Sequence, residues 1–172
     1  LFPGLFVVLL WVIKLAEITL EADFSTAGVY PMESRGLPGI LIGPLIHGGL
    51  GHLAANSLPL IVLGMGIFYF YTPIAYRVVF FIYLTSGMML WFGGRPGYHI
   101  GASGLIYGFA AFLFLSGILR KNFRLMAISL LVVFLYGGLV WGLLPIDPNV
   151  SWEGHLFGGI AGVVVAFLYR GR

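Results

Sequence analysis

Six stretches of mostly apolar residues alternate along the chain with short polar breaks. They cover roughly 2–20, 51–71, 76–93, 101–119, 124–144 and 153–169, each close to the ~20 residues that a membrane-spanning helix requires. The breaks carry turn chemistry: "YTP" at Tyr71–Pro73, "GGRPG" at Gly93–Gly97, "RKN" at Arg120–Asn122 and "PIDPN" at Pro145–Asn149. The first connection, about 21–50, is the only long one. It is hydrophobic, contains Pro31, Pro38 and Pro44, and is expected to lie partly in the membrane interface. The pattern predicts an all-α membrane protein: a single six-transmembrane-helix bundle over residues 1–172. Residues 1–20 read as a spanning helix rather than a signal peptide, because the apolar run is too long and no small-residue cleavage site follows.

Composition supports lipid as the solvent. Of 172 residues, 60% are hydrophobic and 9% are charged, against about 25% charged in soluble domains. Mean hydropathy is +1.03. The absence of cysteine excludes disulfides and thiolate metal sites. A scattered net charge of +3 gives no nucleic-acid footprint.

Charge then orients the bundle. Arg77, Arg120, Lys121, Arg124, Arg170 and Arg172 fall in alternate connections, while Glu21, Asp23, Glu33, Asp147 and Glu153 fall on the other side. Basic residues favour the cytoplasmic side, so both termini are expected to be cytoplasmic. Lys14 and Glu17, inside the first helix, are close enough to pair.

With that topology the second, fourth and sixth helices all begin on the outer face. His52 and Asn56, Ser103, and His155 then arrive at one depth, and polar groups inside a bilayer commonly mark function. Ser103 and Tyr107 share a helical face. So do His155, Gly158 and Gly162. Gly104/Gly108 and Gly158/Gly162 are small-xxx-small pairs, which let helix backbones approach closely. If those faces meet, Ser103 gains a base in His155, and Tyr107 packs against the imidazole. The Ser103 backbone N–H, at a helix start, joins the side chains of His52 and Asn56 as donors for an oxyanion. No Asp is placed to orient His155, and Glu153 points elsewhere, so the constellation reads as a dyad.

These residues resemble the rhomboid intramembrane serine proteases. "HLAAN" (His52–Asn56) is similar to the family's His-x-x-x-Asn motif, "GASG" (Gly101–Gly104) to Gly-x-Ser-Gly, and "GHLFGGIAG" (Gly154–Gly162) to His-x-x-Gly-x-x-x-Gly. The resemblance implies Ser103 as nucleophile, His155 as base, and His52, Asn56 and the Ser103 N–H as the oxyanion hole. It also implies Tyr107 packed on the histidine, and transmembrane proteins in the bilayer as substrates. Two departures stand out. Many members carry a Trp-Arg pair in the first loop where this chain has Pro38 and Gly39, and bacterial members often carry Glu where it has Phe68.

Taken singly, each residue has an ordinary explanation: a serine caps a helix, glycine pairs pack, and Trp152 anchors at the interface. His47 and His99 are expected to be structural or hydrogen-bonding. Four histidines toward one face also suggest a haem or metal site, but that reading leaves Ser103 and Asn56 idle, so no cofactor or metal ligand set is assigned. A transporter lacks the expected paired interrupted helices. The fifth helix, whose outer half carries Gly137, Gly138 and Gly142 beside bulky Tyr136 and Trp141, is the expected lateral gate, with Phe134 and Trp141 as its expected test positions and "PIDPN" as its cap.

Overall fold

The computed structural model describes residues 1–136, 142–147 and 150–171. Seven α-helices appear among them: α1 (Phe2–Thr19), α2 (Gly39–Ile42), α3 (Leu50–Phe70), α4 (Ala75–Gly93), α5 (Ser103–Leu119), α6 (Phe123–Tyr136) and α7 (Trp152–Leu168). No strand forms among the described residues. α1, α3 and α4 are long and apolar enough to cross a membrane, and α5 and α7 are apolar at 17 residues each. Of the expected gate, Gly137–Trp141 lie outside the described residues, as do Pro148 and Asn149 of the cap. Phe134 is exposed.

Within the fourth apolar stretch the helix begins at Ser103, as expected, and Gly101 just before it adopts φ +105°. That region is open to glycine and costly for other residues. The first connection contains α2 and three 3-10 turns, at Ser25–Ala27, Ser34–Gly36 and Gly43–Leu45.

α5 is the centre of the bundle, packed by α3, α4, α6 and α7. α3, α5 and α7 run parallel. Their first turns meet around Ser103. At their far ends Tyr71 packs on Phe112 (4.9 Å between ring centres), the Arg120 guanidinium sits 4.5 Å from the Tyr71 ring, and an Arg120 N–H reaches the Tyr169 carbonyl at 3.4 Å. α1 runs antiparallel to α3: Phe2 stacks on Phe68 at the far end, while the Trp11 indole donates to Ser57 Oγ at 3.0 Å. α4 is also antiparallel, since its last residue, Gly93, meets Phe157 in α7. In lipid, helix association depends on packing rather than on apolar burial from water. The glycines provide it. A Cβ added at Gly158 would fall on the Gly104 carbonyl, and one at Gly162 on the Gly108 carbonyl.

The long first connection is pinned against the site end. Val29 and His99 exchange both backbone hydrogen bonds, at 2.8 and 2.9 Å. The Trp91 indole donates to the Glu33 carbonyl (2.9 Å), the Gly101 N–H to the Gly43 carbonyl (3.0 Å), and the Arg35 guanidinium lies 4.0 Å from the Tyr30 ring centre. Gly39, one of the two positions where the resemblance would place a Trp-Arg pair, abuts the Gly28–Val29 backbone so closely that a Cβ would collide. A side chain there is incompatible with this loop path. Phe68 joins Phe2 and Tyr76 in an aromatic cluster. Lys14 and Glu17 pair at 2.6 Å and are buried.

Candidate active site

Ser103 is the first residue of α5. It is not a cap: Ala102 holds the N-cap position and no side chain bonds there. The hydroxyl is therefore free for another partner. Parallel packing of α5 on α7 through the glycine contacts supplies one: Ser103 Oγ lies 2.8 Å from His155 Nε2. The other imidazole nitrogen, Nδ1, is 2.8 Å from the Gly142 carbonyl. A carbonyl only accepts, so Nδ1 carries the proton and donates. In the neutral ring Nε2 is then the acceptor, and the serine O–H points at it. Tyr107, one turn into α5, stacks on the imidazole with ring centres 4.2 Å apart and planes 10° from parallel. The ring is thus held on its face and at both nitrogens.

The sequence offered no signal for the Gly142 contact, because a backbone carbonyl has no side-chain signature. Its glycine was legible only as a softening residue. A Cβ there would run into the Tyr107 hydroxyl, so glycine is what lets the carbonyl approach His155. Glu153 faces away from the histidine, as expected, and its carboxylate lies 3.5 Å from Arg95.

His52 and Asn56 lie one turn apart at the start of α3, facing the turn before Ser103. A Cβ built on Gly101 would stand 3.2 Å from His52 Nε2 and 3.9 Å from Asn56 Nδ2. Asn56 is buried, and its Nδ2 has no partner among the described residues. A buried, unmet donor costs about 1–3 kcal/mol. All four polar residues line one cavity of about 710 Å³, together with Ala55, Pro59 and Ile106.

His47 and His99 have the hydrogen-bonding roles expected of them. His47 Nε2 accepts the Ala102 N–H at 3.3 Å. Burial, reinforced by His52 5.1 Å away between ring centres, pushes His47 down to about 4, so it is neutral and able to accept. His99 bonds Ser151 and the Arg95 carbonyl. With His99 and His155 so committed, the described residues hold no group of three or more His, Cys, Asp or Glu placed to bind a metal ion.

The arrangement is that of a helical membrane protein with a serine–histidine pair lining an open cavity. The family model for the Rhomboid domain matches residues 37–172. An uncharacterized protein of Mycobacterium tuberculosis is 37% identical over 177 residues, covering 95% of this chain and 72% of that protein. One of Mycobacterium leprae is 34% identical over 173 residues, covering 95% and 68%. A protein of Acanthamoeba polyphaga mimivirus, named for the same family, is 33% identical over 141 residues, covering 75% and 73%. The chain belongs to the rhomboid family.

Proposed function

We propose that the protein is an intramembrane serine endopeptidase that cleaves membrane-protein substrates in or near their transmembrane segments. The observation that carries this reading is the 2.8 Å approach of Ser103 Oγ to a histidine whose other nitrogen is already occupied. As Oγ attacks the scissile carbonyl carbon, its proton moves to His155 Nε2. The Gly142 carbonyl, bonded to Nδ1–H, steadies the imidazolium that forms. The carbonyl oxygen becomes an oxyanion facing the Ser103 N–H, His52 and Asn56 Nδ2, a donor with no other use. Collapse breaks the C–N bond, and Nε2–H protonates the leaving amine. Water then attacks the acyl-serine, gives its proton to Nε2, and the serine is regenerated.

The same reading makes α1, α3, α4, α5, α6 and α7 six spans. Arg77, Arg120, Lys121, Arg124 and Arg170 occur at helix ends away from Ser103, which supports cytoplasmic termini and a site toward the outer face, with the cell (inner) membrane as its location. The substrate is a transmembrane protein arriving through the bilayer.

The test uses purified protein in liposomes with a panel of single-span substrates. Wild type cleaves and is labelled by a fluorophosphonate at Ser103, whereas Ser103→Ala does neither. Cleavage by Ser103→Ala at the wild-type rate overturns the reading. A folded wild-type protein that neither cleaves nor labels identifies a catalytically silent binding protein.

A further inference from the structure

We infer that His99 and Ser151 are positioning residues that set the register of α7 against α5, and so the reach of His155 to Ser103. This rests on the function proposed above. The two segments are joined twice. His99 stands four residues before Ser103, and Ser151 stands four residues before His155. The His99 Nδ1 to Ser151 Oγ distance is 2.6 Å, and one turn deeper the Ser103–His155 pair repeats the link at 2.8 Å. The upper link is a second rung on the same ladder.

Hydrogen placement follows from the chemistry of the partners. His99 Nε2 lies 3.0 Å from the Arg95 carbonyl, which only accepts, so Nε2 carries the proton. Nδ1 of the neutral ring then accepts the Ser151 O–H. The same Oγ accepts the Gly154 N–H at 3.3 Å as the N-cap of α7, and the Ser151 carbonyl accepts the His155 N–H at 3.2 Å. One residue therefore ties His99 to the turn that carries the base.

His99 is a firm anchor for this tie. It is buried, and its backbone is bonded on both sides to Val29 of the first connection. Arg95 adds a parallel tie, donating to the Val150 carbonyl at 2.8 Å and facing Glu153. The glycine contacts deeper in the pair fix how close α5 and α7 come. Glycine surfaces are smooth, however, and resist sliding along the axis poorly. The upper rung supplies that resistance. A slip of about 1 Å is enough to cost on the order of 100-fold in rate.

The test compares His99→Phe, Ser151→Ala, their double variant and Ser151→Thr in liposomes, with kcat and KM measured separately on a transmembrane substrate. Each of the first two lowers kcat by about 10- to 100-fold while KM barely moves; the thermal midpoint falls modestly, because a helix cap or buried hydrogen bonds are lost. The fluorophosphonate labelling rate falls in parallel. The double variant is no worse than the poorer single one, because both break the same link. Ser151→Thr, which keeps the hydroxyl, recovers most of the rate. Wild-type kcat in folded His99→Phe overturns the inference, as do losses that multiply in the double variant. If His99→Phe does not fold, the Ser151→Ala and Ser151→Thr pair decides: equal kcat in the two overturns it. Ser103→Ala run in parallel separates the two failures, since activity that needs Ser103 but ignores His99 leaves the proposed function standing.

Discussion

The two ends of the α3–α5–α7 core are built from different materials. At one end the helix starts carry His52, Asn56, Ser103 and His155, and an adjoining segment places the Gly142 carbonyl within hydrogen-bond distance of His155. At the other, Tyr71, Phe112 and Arg120 close the core, and an apolar cavity of about 380 Å³ opens between Phe2, Leu60, Gly64, Phe68, Tyr76 and Phe80. Polar groups away from water are costly unless each has a partner. The site end therefore depends on geometry, with every ring nitrogen of His99 and His155 assigned. The far end depends on volume, which tolerates exchange of one apolar side chain for another. Function should be brittle at the first end and forgiving at the second.

The largest effect falls on the central pair. Ser103→Ala and His155→Ala each lower cleavage by on the order of 10⁴-fold or more, and the double variant is no worse than either, because residues acting as a unit are non-additive. Cleavage of a reconstituted substrate by the three variants measures this. Losses that multiply would separate the two residues and dissolve the dyad. Next comes the donor layer. Asn56→Ala removes one oxyanion donor and should cost on the order of 10²–10³ in kcat with little change in KM. It also removes a buried, unmet amide, so the variant should be at least as thermally stable as wild type. Activity lost together with stability would make Asn56 a packing residue.

Third is the glycine seam. Gly158→Val drives a side chain into the Gly104 carbonyl, parts α7 from α5, and should lower the rate by about 100-fold. The far end gives the contrast: Phe68→Leu should change the rate less than about threefold while lowering the thermal midpoint, since among the described aromatic residues its ring pairs with Phe2 and Tyr76, away from the site. Equal losses of rate in the two variants would erase the distinction between the ends.

Much of this was legible in the sequence. Alternating topology alone brings the starts of α3, α5 and α7 together, so His52, Asn56, Ser103 and His155 could be grouped from their positions. The small-residue spacing fixed which faces of α5 and α7 meet. What escaped was carried by backbone. The Gly142 carbonyl that orients His155 leaves no trace in residue type. The positive φ of Gly101, just before the start of α5, has no signature beyond the glycine itself. The first connection is set by close backbone approaches at Gly28, Gly36 and Gly39, which a Gly/Pro-rich, hydrophobic stretch does not specify. Ser151 was readable in principle, because a serine just before an apolar helix is a cap signal. Its second bond, to His99, depends on tertiary contact.

The smallest expected effect concerns acid, and it tests the site end through stability. His47 is buried beside His52 and is pushed from 6.5 down to about 4. Its folded value lies below its unfolded one, so the unfolded chain takes up a proton first as pH falls. Stability is then full above about pH 6.5, declines as pH drops toward 4, and levels off below that. At pH 6 the loss from this one group is about 0.8 kcal/mol, growing to on the order of 3 kcal/mol near pH 4. The cause is burial first, with the neighbouring His52 second. A protonated ring would also lose the Nε2 lone pair that accepts the Ala102 N–H immediately before Ser103. Reversible unfolding in detergent, measured between pH 7 and pH 5, should fall less steeply for His47→Asn than for wild type. Other titrating groups contribute equally to both proteins, so the difference in slope isolates His47. Identical slopes would mean that His47 titrates at its ordinary value, and that burial beside His52 does not hold the ring neutral.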